Sequence, residues 1–168
     1  MDKVGLLTPR RIVDGRGWFT ETYNARREAA LGLEATFVQD NASMSRAAGT
    51  VRGIHFQLPP RAQAKLVRCV RGRILDIVVD LRAGSPTYGH HVQAELSAED
   101  GRQIFIPIGF GHAFVTLEPD TEVNYKVSDF SSPDHDAGLR FDCPRIVIRC
   151  PFPASALTLS DKDRALPT

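Results

Sequence analysis

Two histidines, His55 and His112, stand in stretches that read as β-strands, and imidazoles held on strands are well suited to moving protons. An unperturbed imidazole titrates at about pH 6.5, so near neutrality it can take up a proton and return it. His55 lies in Val51-Arg52-Gly53-Ile54-His55-Phe56-Gln57, where alternation predicts Val51, Gly53, His55 and Gln57 on one face and Arg52, Ile54 and Phe56 on the other. Taken alone, such a histidine is as readily a satisfied core residue as a working one. Its meaning depends on what the fold brings beside it.

Other patterns carry less chemistry. Gly109-Phe110-Gly111 lacks the strand-to-helix setting of a dinucleotide loop and reads as a turn. Arg68, Arg71 and Arg73 form a small basic cluster without interleaved aromatics, which excludes a nucleic-acid surface; they are expected to flank a hairpin or approach a nucleotide. Cys69, Cys143 and Cys150 are odd in number and lack zinc-site spacing, so they read as reduced structural thiols.

The elements that must position these groups are mostly strands. Short runs rich in Val, Ile, Phe and Leu recur between Gly, Pro and Asp, predicting strands at Thr36–Gln39, Val51–Gln57, Lys65–Arg71, Arg73–Leu81, Val92–Leu96, Gln103–Ile106, His112–Thr116, Thr121–Val127 and Ile146–Arg149. Lys65–Arg71 and Arg73–Leu81 flank Gly72 as a hairpin with one core face, Leu75, Ile77, Val79 and Leu81, opposite Asp76 and Asp80. Two stretches read as helical: Ala25–Leu31, capped by Asn24 and ended by Gly32, and a short turn where Ser160 and Asp163 form a possible capping box. Strands without intervening helices predict an all-β, mostly antiparallel sandwich or barrel with short peripheral helices. No repeat or linker interrupts the chain, so residues 1–168 are expected to form a single domain.

Composition bounds the partners. The 168 residues carry 21 basic and 20 acidic side chains, a formal charge of +1, so no strong field recruits nucleic acid or anionic lipid. Met1–Leu7 has no signal-like apolar run, and Ile74–Leu81 is interrupted by Asp76 and Asp80; the expectation is a cytoplasmic protein with no membrane segment. Asn41-Ala42-Ser43 fits a glycosylation pattern that has no meaning without secretion.

Gly101, five residues, Pro107-Ile108-Gly109, two residues and His112 resemble the second signature of the cupin superfamily, whose jelly-roll β-sandwich or barrel is then the expected fold. Thr116 stands where that family usually has Asn. In the first signature the corresponding stretch reads Gly49, five residues, His55-Phe56-Gln57, and Arg61 and Ala62 stand where a Glu ligand is expected. Two of the four usual ligands are missing, and a metal site of His55 and His112 alone would be weak. The expectation is a pocket without metal or other cofactor, whose histidines are free to handle protons.

The surrounding text resembles a narrower family, the dTDP-4-dehydrorhamnose 3,5-epimerases. The resemblance rests on Asp14-Gly15-Arg16-Gly17-Trp18-Phe19-Thr20-Glu21, Gln39-Asp40-Asn41, Ala62–Arg68, Asp80-Leu81-Arg82, Ser85–Gly89, Ile106–Phe114 and Leu159–Asp163, in order along nearly the whole chain. It implies an isomerase acting on dTDP-4-keto-6-deoxy-glucose. Carbons 3 and 5 flank the C4 ketone, so a base can remove either proton to give an enolate, and a proton returned on the opposite face inverts the centre.

By the same resemblance His55 is the base, Asp163 the carboxylate that orients it and Tyr125 the general acid. Lys65 supports the enolate, with His112 a second polar contact. Arg16 and Arg52 match positions that hold the nucleotide diphosphate through guanidinium forks. Glu21, Gln39, Asp40, Asn41, Asp136 and Lys162 match further ligand-binding positions, and a homodimer is implied in which the neighbouring subunit supplies part of the nucleotide site.

One position departs from the family. Many relatives carry a second aromatic six residues after the acid tyrosine; here it is Ser131, preceded by Phe130. A changed pocket wall keeps inversion at C3 alone open as another reading; a metal-dependent cupin enzyme is a separate alternative, against which the missing first-signature ligands argue.

Overall fold

The computed structural model describes residues 4–33 and 35–168, so the first three positions of the Met1–Leu7 stretch lie outside it. The elements run β1 (Gly5–Leu7), β2 (Arg11–Asp14), β3 (Gly17–Thr20), α1 (Ala25–Ala30), β4 (Gln39–Ser45), β5 (Val51–Gln57) and β6 (Lys65–Arg71), then β7 (Arg73–Asp80), β8 (His91–Ser97), β9 (Gln103–Ile106), β10 (Phe110–Thr116), β11 (Thr121–Val127), β12 (Asp136–Gly138) and α2 (Asp161–Arg164). They form two antiparallel five-stranded sheets, ordered β1-β9-β6-β11-β4 and β12-β5-β10-β7-β8, with β2 and β3 as a separate hairpin. The expected antiparallel sandwich with short helices is what the chain builds.

Apolar clusters lie between the sheets and outside each of them. Between them Val67, Cys69, Ile74, Val78, Ile104, Phe110, Phe114 and Val123 make the central core. Outside the second sheet, Val51, Ile54, Ile77, Val79, Ala113 and Val115 are sealed by Phe141, Cys143 and Ile146 from the strap that runs from β12 to α2. Outside the first sheet, Leu66 and Phe105 are covered by Tyr23, Leu33, Ala35 and Phe37. Each aliphatic side chain so buried contributes roughly 1.5–3 kcal/mol.

This layering corrects several expectations. Strand β7 of the hairpin has no solvent face: the strap covers the Ile77 side, which leaves Asp76 and Asp80 between the sheets at 0% exposure. Burial requires partners, and they have them in His112 and Arg82. Asp80 accepts from Arg82, Ser85 and Thr87, and the guanidinium holds its carboxyl far below the usual range; this network ties the Ser85–Gly89 loop to β7. Thr36–Gln39 is not a strand. Its Phe37 packs edge-on against Tyr23 at 5.5 Å, and pairing begins at Gln39 in the polar edge strand β4. Ile146–Arg149 is also not a strand, because Ile146 and Ile148 serve the strap as cover for the sheet rather than as ladder partners. Unanticipated were β1, β2, β3 and β12, each of three or four residues.

Other local readings hold. Asn24 caps α1 by accepting from the N–H groups of Arg26 and Arg27. Arg71 and Arg73 flank the hairpin, where they pair with Glu122 and Glu118.

Candidate active site

A β-bulge sets the site. On β10, His112 stands opposite His55 and Phe114 opposite Arg52, so Gly53 and Ile54 together face the single residue Ala113. Gly53 has φ +110°, and a Cβ there would lie 2.3 Å from the His112 carbonyl oxygen, which leaves glycine as the residue that fits. The extra residue shifts the alternation. Ile54 turns out under the strap, and Arg52 and His55 line the same cavity wall, which corrects the strict alternation that set them on opposite faces.

The cavity, about 440 Å³, lies between the sheets. From the second sheet come Arg52, His55 and His112, from the first Lys65 and Tyr125, and from α2 Lys162 and Asp163. A second lobe of about 300 Å³ shares His55, Lys65, Tyr125 and Lys162 and adds Asn41, Ser131 and Asp136. His55 and Tyr125 thus reach one space from opposite sheets.

His55 Nε2 donates to Asp163 Oδ1 at 2.6 Å. The Asp163 backbone N–H is capped by Ser160 Oγ at 3.1 Å, which is half of the expected capping box; the Asp163 carboxylate bonds His55 instead. With Nε2 committed, Nδ1 is the nitrogen free to act as a base. Burial lowers the His55 pKa below its ordinary 6.5, Asp163 opposes that shift, and Lys65 and Lys162 add to it; the ring is neutral at pH 7.

Lys65 is 8% exposed, and its Nζ donates to the His55 backbone oxygen at 3.3 Å. Burial lowers its pKa to about 8, with Asp76 and Asp136 opposing. Tyr125 moves the other way: burial raises its phenol above the usual 10, against a smaller effect of Arg52. A neutral imidazole, a buried ammonium and a protonated phenol around one cavity can remove a proton, hold an oxyanion and return a proton. Among the described residues, no three His, Cys, Asp or Glu side chains are arranged to hold a metal ion.

The remaining expected ligands are spread more widely. Lys162 and Asp136 form an ion pair beside the second lobe. Gln39 Nε2 donates to both Asn41 Oδ1 and Ser131 Oγ, and the Ser131 N–H donates to Gln39 Oε1, a clasp that ties β4 to the loop after β11. Phe130 beside it is exposed. Asp40 points to the opposite face of its sheet, paired with Lys126 at 2.8 Å. Arg16 sits in the β2–β3 turn, 91% exposed and held by Asp14, and Glu21 pairs with Arg27; neither lines either lobe. Sequence reasoning missed Asp76, behind His112, because a charge on an alternating strand reads as a solvent position.

Comparison with known proteins bears on this arrangement. Residues 1–168 match the family model described as dTDP-4-dehydrorhamnose 3,5-epimerase. The chain is 48% identical over 166 residues to the dTDP-4-dehydrorhamnose 3,5-epimerase of Sinorhizobium fredii, covering 99% of this chain and 85% of that one. It superposes with TM-score 0.94 and 47% identity on the crystal structure of dTDP-4-dehydrorhamnose 3,5-epimerase from Bacillus anthracis with TDP and PPi bound, covering 98% of this chain and 93% of that one. A Legionella pneumophila dTDP-6-deoxy-D-glucose-3,5-epimerase in complex with dTDP-4-keto-L-rhamnose superposes with TM-score 0.93 at 38% identity, covering 99% and 88%.

Proposed function

Because the chain belongs to the dTDP-4-dehydrorhamnose 3,5-epimerase family, we propose that it inverts C3 and C5 of dTDP-4-keto-6-deoxy-glucose, giving dTDP-4-dehydro-L-rhamnose, by proton transfer through an enolate. The observation that carries the mechanism is the meeting of the His55–Asp163 pair and Tyr125 in one cavity from opposite sheets, with Lys65 lining the same space.

His55 Nδ1 takes the proton from the carbon next to the C4 ketone, and the electrons of that C–H bond pass to the C4 oxygen. Lys65 Nζ meets the charge developing there, where a fixed donor in a buried site is worth most. Tyr125 Oη then gives its proton to the same carbon from the other face, the ketone re-forms and the centre is inverted. The imidazolium and the phenolate recover their starting states by exchange with water, so label from solvent enters the product. Arg52 and Lys162 are the cations we assign to the diphosphate.

We further propose a homodimer. Ile12, Val13, Trp18 and Phe19 of the β2–β3 hairpin are 54–75% exposed, and covering each would contribute roughly 1.5–3 kcal/mol. We assign Arg16, 91% exposed at the tip of that hairpin and paired with Asp14, to a neighbour's nucleotide site. We assign the protein to the cytoplasm, where Cys69, Cys143 and Cys150, all without disulfides, stay reduced.

The test is proton NMR of dTDP-4-keto-6-deoxy-glucose with the purified protein in deuterated water, following C3 and C5 separately. Loss of both signals, with rhamno-configured product trapped by a ketoreductase, supports the double epimerase. Loss at C3 alone would make Ser131 the mark of a single-centre enzyme, and no exchange despite binding would leave only a sugar-nucleotide-binding protein.

A further inference from the structure

His112 stands on a second histidine–carboxylate pair. Its Nε2 donates to Asp76 Oδ2 at 2.8 Å; the histidine side chain is 8% exposed and the aspartate 0%. The other carboxylate oxygen, Oδ1, is buried without a hydrogen-bond partner, an unusual condition for so polar an atom. Across the cavity Lys65 makes one long hydrogen bond, to the His55 carbonyl, and Asp76 is the largest of the charges that favour its ammonium form. A buried ammonium with one weak bond and a buried carboxylate with one unpartnered oxygen line up as opposite charges that favour each other without a direct ion pair among the described residues.

We propose that Asp76 is a positioning residue for epimerisation: its Oδ2 fixes the His112 ring with Nδ1 as the nitrogen left for substrate, and its buried carboxylate adds negative charge to the field that Lys65 feels. This rests on the epimerase reading above. Asp76 touches no substrate atom in this account. It acts through His112 and Lys65 at the end of the cavity where the C4 oxygen gains charge.

Besides Asp76 and His112, the charged and titratable groups that share the cavity and its second lobe with Lys65 are Asp136 from β12, Arg52 and His55 from β5, Tyr125 from β11, and Lys162 and Asp163 from α2. Of these Asp136 favours the ammonium less than Asp76 does and is itself paired with Lys162. Removing the Asp76 charge therefore weakens the hold on the Lys65 proton more than removing the Asp136 charge would.

The experiment is the pH profile of solvent exchange at C3 and C5 for the full-length wild type and Asp76→Asn, with dTDP affinity measured beside it. The alkaline limb is expected to move down by roughly one pH unit, and kcat at pH 7 to fall about a hundredfold, with the dTDP Kd within about twofold because the nucleotide contacts are elsewhere. An unmoved limb with kcat within threefold of wild type would overturn the assignment. So would a limb and a nucleotide affinity that deteriorate together, the pattern of a merely damaged fold. Asp76→Ser is read in the same way if the asparagine variant does not fold. A third arm needs no variant: ¹⁵N shifts of wild-type His112 should show hydrogen on Nε2, and a bare Nε2 overturns the proposal. Wild-type protein without any exchange would overturn the epimerase reading and this proposal with it; normal wild-type exchange beside an unchanged Asp76→Asn profile overturns this one alone.

Discussion

His55 Nε2 and Asp163 Oδ1 stand 2.6 Å apart although 108 positions separate them in the chain. The carboxylate is almost fully buried and the ring is about a third exposed, so one end of the imidazole is anchored in the protein and the other opens on the cavity. His55→Asn is therefore expected to abolish exchange at both carbons, by about a thousandfold or more, while dTDP binding stays within about threefold of wild type. Turnover within tenfold of wild type would remove His55 from the role of base.

Asp163→Asn keeps the shape of the pair but offers the ring either hydrogen-bonding sense, which releases its tautomer. The expected loss in kcat is on the order of a hundredfold or more. Little change in kcat would remove Asp163 from the role of orienting the base.

Activity should be bell-shaped in pH. His55 works as the neutral ring, so activity is lost as pH falls through a pKa below 6.5. Lys65 works as the ammonium, so activity is lost again as pH rises through about 8. Tyr125, raised above 10, stays protonated across this window. The log of kcat/KM against pH checks this; an acid limb above 6.5 would contradict the direction set by burial of His55.

Tyr125→Phe removes the returning proton but leaves the base. Solvent exchange at the carbon should persist while inversion slows by roughly a hundredfold. Equal loss of exchange and inversion would argue against a separate acid.

Gly53→Ala would thrust a methyl to within 2.3 Å of the His112 carbonyl oxygen and 2.8 Å of the Ala113 Cα, at a φ of +110°. Backbone is on both sides and cannot yield. A loss of about 3 kcal/mol in folding stability is expected, read by denaturant titration, together with lost activity as the bulge is displaced.

Much of this site is legible before any coordinates. His112 follows a turn whose spacing is distinctive, and Asn24 and Ser160 announce their helices because capping is a local rule. What stays hidden is what depends on contacts distant in sequence. Nothing within Val51–Gln57 states that Gly53 and Ile54 share one partner on β10, so Arg52 is assigned to the wrong face. Likewise Asp76 reads as solvated because the strap over the far side of β7 is built from residues 139–159, whose irregular backbone carries no period. The very short β1, β2, β3 and β12 offer too few residues for alternation to register.

The strap that seals the second sheet is continuous with the turn that delivers Asp163. It is clipped to β5 at both ends, by Leu139 with Ile54 and by Thr158 with Gly49 and Val51. Shielding the outer face of that sheet and arming the base are consequently a single cooperative transition. On gentle heating, this edge can peel while both sheets persist, giving a species that retains its β-structure by circular dichroism yet has lost its dyad. Inactivation would then run ahead of spectroscopic melting, and amide protection along residues 139–164 would follow the surviving activity rather than the surviving fold.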